Sequence, residues 1–178
     1  MVIVCEGLDR VGKGTQIQRI KRHLEEKGSL CHVLHYSNIK GSDVEKRSKE
    51  YYRQMFDIMR YSFNRFNLIL DRAHLGEFVY SPLYRNYDGS YIFDLEKNYL
   101  LHDTYNGTKL IVFIDEAENL VHREDGFSFS KDIEKKKEEI RRFDEAYDKS
   151  ALNKLLININ GHDENAVWEK FVKDFVTF

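Results

Sequence analysis

The chain has 178 residues, 28 Lys and Arg against 30 Asp and Glu, a formal net charge of -2 and 42% apolar residues. This length favours one domain and can bury a core without a disulfide or metal. The balanced charge gives no reason to expect nucleic acid as a partner, and no apolar run approaches the roughly 20 residues of a membrane span. The two cysteines are too few for a disulfide framework. We therefore expect a single-domain cytoplasmic protein with no membrane partner.

The chain begins with a short apolar strand that runs into a glycine-rich turn. Gly7, Gly12 and Lys13 have the Gly-x4-Gly-Lys spacing of a phosphate-binding loop. Glycines let successive backbone N–H groups point at phosphate oxygens, and the helix that follows directs its positive dipole end at the same anion. Lys13 adds a mobile positive charge. The pattern predicts a site for the phosphates of a nucleotide.

Two features distinguish this loop from the general pattern. Gly14 stands where the pattern has Ser or Thr, and the hydroxyl comes one residue later at Thr15. Asp9 and Arg10 lie inside the loop. A carboxylate there must face something other than phosphate, such as a sugar hydroxyl, and Arg10 can stabilise charge on a transferring phosphoryl group. The alternative is that Asp9 and Arg10 both point into solvent.

Beyond the loop, hydrophobic periodicity predicts alternating helices and strands. In chain order they are a helix over 16–27, a strand over 32–36, a helix over 43–65, a strand over 67–71, a loop and helix over 74–88, a helix over 93–105, a strand over 109–114, helices over 118–123 and 131–149, a strand over 154–158 and a helix over 164–176. This alternation predicts an α/β fold, a central parallel sheet of about five strands with helices on both faces. Ligands of such sheets bind beyond the carboxyl ends of the strands.

Charged side chains follow two of the predicted strands. Asp71 and Arg72 close one of them, where the carboxylate can hold Mg²⁺ or accept a proton and the guanidinium can bind phosphate in a bidentate manner. The alternative is a solvated ion pair at a strand end. Asp115 ends the next strand, and both a second catalytic carboxylate and a helix cap remain open for it.

Three other segments carry weaker signals. Phe56 and Arg60 share a helix face and can stack on a base and bond its edge, although spacing alone favours a core position for the aromatic. Arg123 and the polar segment 124–130 indicate a lid, with an ordinary exposed connection as the alternative. The run 135–137 of three lysines is typical of a solvated helix face.

Together these motifs resemble the thymidylate kinase branch of the nucleoside monophosphate kinases. The matching segments are 6–16, 56–60, 71–72, the region of Arg123, and 143–147, in that order along nearly the whole chain. The resemblance implies one P-loop nucleotide kinase domain over 1–178 with a lid at about 123–131, and a homodimer.

The resemblance also implies a role for each matching residue. ATP would be bound by Gly7, Gly12, Lys13, Gly14, Thr15 and Arg123. The acceptor nucleotide would be bound by Asp9, Phe56, Arg60, Arg72 and Tyr80, with Lys40 the nearest candidate for an arginine that the family carries after its second strand. Catalysis would rest on Lys13, Arg10, Asp71 and Arg72, and Mg²⁺ would be held by Thr15 and Asp71.

The implied activity is ATP- and Mg²⁺-dependent phosphorylation of a deoxynucleoside monophosphate, with dTMP as the first expectation. One alternative is a kinase that acts on a deoxynucleoside or on a nucleic-acid 5′ end. An alternative of another class is a nucleotide-binding module without catalysis.

Overall fold

Five parallel strands form the sheet around which the chain folds. The computed structural model describes residues 1–37, 39, 41–101, 107–123 and 130–177. The strands are β1 (Val2–Gly7), β2 (Cys31–His35), β3 (Asn67–Asp71), β4 (Thr108–Ile114) and β5 (Asn153–Asn158). They lie in the order β2-β3-β1-β4-β5 and every neighbouring pair is parallel. The predicted α/β fold with a five-stranded parallel sheet is confirmed.

Helices surround this sheet. They are α1 (Lys13–Glu26), α2 (Val44–Ser62), α3 (Leu75–Tyr80), α4 (Tyr91–Leu100), α5 (Ala117–His122), α6 (Ile133–Lys149), α7 (Glu164–Val167) and α8 (Lys173–Phe175). Within the described residues, two π-helical turns interrupt the pattern, at Ser81–Arg85 directly after α3 and at Trp168–Val172 between α7 and α8. The last predicted helix is therefore a broken one. No helix in the described ranges has the length and apolar character needed to cross a membrane.

The lysine run on α6 is only partly a solvated face. Lys136 is buried, and its Nζ donates to Glu139 Oε2 at 2.8 Å. Glu139 is fully buried and its Oε1 accepts from the Tyr84 hydroxyl at 2.5 Å. The expectation of a solvated face is wrong at Lys136, because Glu139 compensates its charge in the interior.

The central position of β1 determines where the site forms. Every residue of β1 is buried, which its continuous apolar run of Val2 to Cys5 permits between two neighbouring strands. Cys5 pairs with Asp71 of β3, and Gly7 pairs with Phe113 of β4. The segments that follow β1, β3 and β4 therefore leave the sheet at the same edge.

Gly7 is the residue that lets the chain leave β1 so close to β4. Its φ is +127°, and a Cβ at this position would lie 2.0 Å from the carbonyl oxygen of Phe113. Any side chain here would clash with backbone, in a conformation that L residues rarely adopt. Gly12 also has a positive φ, +78°, but open space surrounds it. Glycine is thus required at position 7 by both the close approach of β4 and the backbone conformation, and at position 12 by the backbone conformation alone.

Candidate functional site

Residues 7–15, called the phosphate loop below, enclose the side chain of Lys13. This side chain is buried, and its Nζ donates to the carbonyl oxygens of Gly7, at 2.9 Å, and Leu8. Burial lowers the pKa of Lys13 to about 8, while the nearby Asp9 carboxylate acts in the opposite direction. The ammonium group of Lys13 is thus hydrogen-bonded to main-chain oxygens of the loop, at the place where the motif predicts the phosphates of a ligand.

Asp9 and Arg72 form an ion pair that joins the phosphate loop to the end of β3. Arg72 Nη2 lies 2.6 Å from Asp9 Oδ1. Arg72 and Arg10 both have left-handed backbone conformations, with φ of 65° and 67°. Such conformations in residues other than glycine concentrate at functional sites. The structure therefore brings together two of the residues that the resemblance assigns to binding of the acceptor.

Asp71 reaches the same edge of the sheet but is engaged by a partner that the sequence did not predict. Its Oδ2 lies 2.8 Å from Nδ1 of His35, the last residue of β2. The two residues pair in the register of β2 and β3, so their side chains emerge on one face. The sequence signal that could have indicated this contact is a histidine, His35, at the end of the preceding strand.

The Asp115 carboxylate connects the start of the segment after β4 with Arg123. Its Oδ1 accepts from the backbone N of Glu116 at 2.8 Å and from Asn119 Nδ2 at 2.9 Å. Its Oδ2 lies 2.8 Å from Nη1 of Arg123, which also donates to the carbonyl oxygen of Arg10 at 3.4 Å. Asp115 thereby holds Arg123 against the phosphate loop.

A cavity of about 320 Å³ lies beside the phosphate loop. It is called the donor cavity below, because the resemblance implies that Arg123 binds ATP. It is lined by Arg10, Val11, Gly12, Gln16, Arg123, Ile159, His162, Asp163, Glu164 and Val167. The sequence predicted the contributions of the loop and of Arg123. The contributions of the segment after β5 were not predicted, although that segment also follows the carboxyl end of a strand.

Thr15 and Asp71, the residues predicted to hold Mg²⁺, lie on different sides of the phosphate loop. The Thr15 hydroxyl donates to Glu164 Oε1 at 3.3 Å, whereas Asp71 contacts His35. Within the described ranges, no three His, Cys, Asp or Glu side chains come together as a metal site. Mg²⁺ is usually held by one or two protein oxygens together with substrate phosphates and water. Asp71, with a quarter of its side chain exposed, fits that mode of binding.

A second and smaller cavity has a volume of about 30 Å³. It is called the acceptor cavity below, because the resemblance implies that Arg72 and Tyr80 bind the acceptor. It is lined by Glu6, Gly7, Tyr36, Ser37, Tyr52, Arg72, Ala73, Gly76, Tyr80 and Arg85. The predicted residues Arg72 and Tyr80 meet here. Tyr36, Tyr52 and Arg85 were missed, since no local spacing connects them.

Glu6 fixes the wall of this cavity. Its Oε1 accepts from the backbone N of Ala73 at 2.9 Å and of Gly76 at 3.2 Å. Burial raises the pKa of the Glu6 carboxyl above its usual range, although these hydrogen bonds counteract it. Glu6 thus ties the end of β1 to the start of α3, and keeps Arg72 and Tyr80 on one side of the loop.

Phe56 and Arg60 do not have the positions that the resemblance implied. The Phe56 side chain is buried, with ring centroids 5.2 Å from His74 and 5.4 Å from Tyr99. Arg60 donates to Asp57 at 3.2 Å and to the carbonyl oxygen of Asn98 at 3.3 Å. Both residues face α4, and neither is part of the acceptor-cavity lining given above. Phe56 thus has the core position that its spacing alone favoured, and base recognition by these two residues stays a prediction. Lys40 and the lid segment 124–129 lie outside the described residues.

Comparison with known proteins shows similarity at the level of the fold. No family model and no curated protein sequence matches the chain. Among solved structures, the chain is similar to the YorR protein of Bacillus subtilis, whose crystal structure is a complex with phosphorylated GDP. The TM-score is 0.70 at 13% sequence identity, and the match covers 96% of this chain and 92% of YorR. At this identity the similarity shows a shared α/β fold.

Proposed function

We propose that this protein is a phosphotransferase that moves a phosphoryl group from ATP to a nucleoside monophosphate. The observation that supports this proposal best is that two cavities share one phosphate loop. The donor cavity is lined by Gly12 and Arg123, and the acceptor cavity by Gly7 and Arg72. A binding module needs one ligand site, whereas group transfer needs two that meet at the transferred group. The nucleotide bound to YorR agrees with a nucleotide ligand.

The proposed mechanism depends on position and charge, because phosphoryl transfer asks little covalent chemistry of the protein. Lys13 leaves the carbonyl oxygens of Gly7 and Leu8 and binds the transferred phosphoryl group. Arg72 exchanges Asp9 for the phosphate of the acceptor, and Asp9 is released toward a sugar hydroxyl. Arg10, within the loop, neutralises charge that develops in transfer. Mg²⁺, held by Asp71 or Thr15 with the phosphates, would supply further neutralisation.

The acceptor's identity is the finer part of the proposal. The resemblance implies dTMP, but the base-reading residues that it assigned, Phe56 and Arg60, pack against α4. We therefore expect a nucleoside monophosphate acceptor, and include dTMP as one member of a wider set. The implied homodimer stays a prediction, and the exposed apolar side chains of Ile58 and Tyr61 on α2 agree with it.

The proposal is tested by ADP release with ATP, Mg²⁺ and a panel of nucleosides and nucleoside monophosphates. We expect turnover with monophosphates, and a loss of about 100-fold or more in kcat for Lys13→Ala with the fold intact by circular dichroism. Lys21→Ala on the exposed face of α1, where Lys21 contacts only Glu25 among the ion pairs described, is the matched control and should retain full activity.

Three outcomes would contradict the proposal. Turnover of nucleosides alone would indicate a nucleoside kinase. Tight ATP binding without turnover of any acceptor would indicate a binding module. Activity that survives Lys13→Ala would show that the phosphate loop has been assigned wrongly.

A further inference from the structure

His35 and Asp71 form a polar pair at the edge of the sheet where the phosphate loop lies. His35 is the last residue of β2 and Asp71 the last residue of β3, and the two are direct partners in the parallel register. His35 Nδ1 lies 2.8 Å from Asp71 Oδ2. Within the part of the chain that the structure describes, the imidazole is the one hydrogen-bond partner of this carboxylate.

The sheet register also brings the Asp71 carboxylate close to the phosphate loop. Asp71 is the register partner of Cys5 in β1, the strand that leads into the loop. Burial lowers the pKa of Lys13 to about 8, and Asp71 is one of three carboxylates, with Asp9 and Glu6, whose charges oppose this shift. The carboxylate is therefore near the Lys13 ammonium, where the motif predicts the phosphates of a ligand.

Main-chain hydrogen bonds fix the backbone on both sides of Asp71 but leave its side chain to other contacts. The Tyr36 N–H donates to the Asp71 carbonyl oxygen at 3.0 Å, and the Arg72 N–H donates to the Cys5 carbonyl oxygen at 2.9 Å. A quarter of the Asp71 side chain is exposed, so packing alone does not determine its torsion angles. The contact with His35 is what selects an orientation of the carboxylate.

This contact determines which carboxylate oxygen is left for a ligand. An ionised carboxylate has no hydrogen to donate, so Nδ1 of His35 carries the hydrogen of the bond. Oδ2 of Asp71 is thereby engaged, and Oδ1 has no hydrogen-bond partner among the described residues. Hydrogen bonds of this kind orient the ligating carboxylates of metal sites. Asp71 thus presents one oxygen in a defined direction.

The phosphate loop lacks the hydroxyl that commonly binds the metal beside such a carboxylate. The general motif has Ser or Thr directly after the lysine, with its hydroxyl on Mg²⁺, and this chain has Gly14 there. The Thr15 hydroxyl donates to Glu164 Oε1 at 3.3 Å, on the side of the donor cavity. The orientation of Asp71 therefore has more weight here than in a loop that carries the usual hydroxyl.

We propose that His35 is a positioning residue, which orients Asp71 Oδ1 toward the Mg²⁺ that accompanies the phosphates of the nucleotide. This inference rests on the proposed function. Mg²⁺ requires near-ideal octahedral geometry and is usually held by one or two carboxylates together with phosphate oxygens and water. A ligand oxygen whose direction is set in advance loses less conformational freedom on binding. His35 thus increases the affinity for the metal–nucleotide complex without contacting it.

The test is calorimetric binding of a non-hydrolysable ATP analogue with and without Mg²⁺, which requires no turnover. The Kd without Mg²⁺ divided by the Kd with Mg²⁺ measures the contribution of the metal. We expect His35→Ala to lower this ratio about tenfold, with metal-free binding unchanged. A merely structural role for His35 would change both Kd values.

Two conservative variants show whether the N–H at Nδ1 is what matters. His35→Asn can place an amide N–H where Nδ1–H lies and should restore most of the ratio. His35→Gln places its N–H one bond farther from the backbone and should resemble His35→Ala. Both variants keep a polar side chain at an exposed position, so this comparison tests the inference even if His35→Ala fails to fold.

His32 provides the matched control on the same strand. It is exposed, lies three residues before His35, and its ring contacts Phe66 with centroids 4.9 Å apart. His32→Ala removes the same type of side chain away from the phosphate loop. It should therefore retain the full ratio of the two Kd values.

Three results would overturn the inference. These are a ratio in His35→Ala equal to that of the wild type, a loss that His35→Asn and His35→Gln share equally, and a ratio that Thr15→Val abolishes while His35→Ala preserves it. The last result would assign the metal to the loop hydroxyl.

The binding measurement separates this inference from the proposed function. Mg²⁺-dependent binding that requires His35, without transfer to any acceptor, would sustain the inference and refute the phosphotransferase. Turnover of monophosphates by a protein whose Mg²⁺ dependence is unaffected by His35→Ala would refute the inference alone.

Discussion

Lys13 is a cation that the protein buries before its ligand arrives. Its Nζ is satisfied by carbonyl oxygens of the phosphate loop, yet burial lowers its pKa to about 8. Bound phosphate would stabilise the charged form and raise this pKa again. The protonation of one side chain is therefore coupled to the occupation of the site.

This coupling predicts a pH dependence of ATP binding. Below pH 8 the empty protein already carries the proton on Lys13, whereas above pH 8 binding must take one up. We expect the Kd for ATP to rise by up to about tenfold per pH unit above 8. Calorimetry at pH 7.5 and 9, in buffers of different ionisation enthalpy, measures both the Kd and the proton uptake. Lys13→Met should bind weakly and without this dependence, and a Kd that is equal at the two pH values in the wild type would refute the coupling.

The two motif glycines permit a matched comparison. Gly7→Ala should destabilise the fold by at least ~3 kcal/mol, because the new Cβ would lie 2.0 Å from the Phe113 oxygen at φ +127°. Gly12→Ala should cost only about 1–2 kcal/mol, since open space surrounds it and only the left-handed backbone opposes the change. Urea unfolding followed by circular dichroism measures both values. Equal losses would mean that strain at φ, and not the approach to β4, determines the requirement.

At this scale the sequence predicted what local spacing encodes. The phosphate loop and the residues that end β3 follow from their positions in the chain, because parallel strands bring their carboxyl ends together. Tyr52 and Arg85 could not be found in this way, since their meeting depends on how α2 and the turn after α3 pack. Tyr52 and Phe56 are four residues apart on the same face of α2, so periodicity cannot determine which of the two lines the cavity.

Among the elements, α3, α4 and the segment before β5 are joined by one buried polar network. Glu96 Oε2 accepts from Ser150 Oγ at 2.7 Å and lies 2.7 Å from His74 Nε2, and Oε1 accepts from the backbone N of Ala151 at 2.7 Å. Burial alone would raise the pKa of the Glu96 carboxyl, but these partners hold it below its usual range. The network anchors α4 beneath the start of α3, next to the residues that follow β3.

Glu96→Ala should lower the free energy of unfolding by about 3–5 kcal/mol, because it leaves His74 and Ser150 buried without their partner. Asp94→Ala on the same helix, where the side chain is 80% exposed, should cost less than about 1 kcal/mol. Denaturant unfolding at pH 7 compares them. Since the pKa of Glu96 is lowered in the folded state, its contribution should be lost as the pH falls below about 4.5, the usual Glu value. A loss for Glu96→Ala as small as that for Asp94→Ala would mean that the network contributes little.

Sequence periodicity located these elements to within a few residues but could not predict the two π-helical turns. A π turn depends on which partner each backbone group finds in the fold. The turn at Ser81–Arg85 follows a segment that Glu6 holds from 70 residues earlier in the chain, and Glu77 binds the last residue of the turn. The burial of Lys136 was missed for a different reason. Its partner Glu139 lies one turn along the same helix, and Lys–Glu pairs at that spacing are equally typical of an exposed helix face.

In the molecule as a whole, β1 lies at the centre of the sheet, and residues from both sides of it complete the site. The acceptor cavity is lined by residues that precede α4 in the chain, from Glu6 to Arg85. The donor cavity is lined by residues of the phosphate loop and α1 and by residues that follow β4 and β5 in the chain. The order β2-β3-β1-β4-β5 was not predicted from the sequence. The sequence did predict that the candidate phosphate-binding residues meet at one edge of the sheet, because this requires only that the strands be parallel.

The segment after β5 supports the donor side of the site, and it is synthesised long after the phosphate loop. Gln16 Nε2 donates to the carbonyl oxygen of Glu164, and Arg19 donates to Asn165. The helix α1 is therefore hydrogen-bonded to residues almost 150 positions later in the chain. On a ribosome, the loop and its lysine would therefore be made almost 150 residues before the segment that supports them. Contacts of such long sequence separation form late in folding. A nascent chain therefore carries the loop without this support while the intervening residues are made. Under the proposed function, a bound nucleotide would stabilise the state in which the two segments have come together.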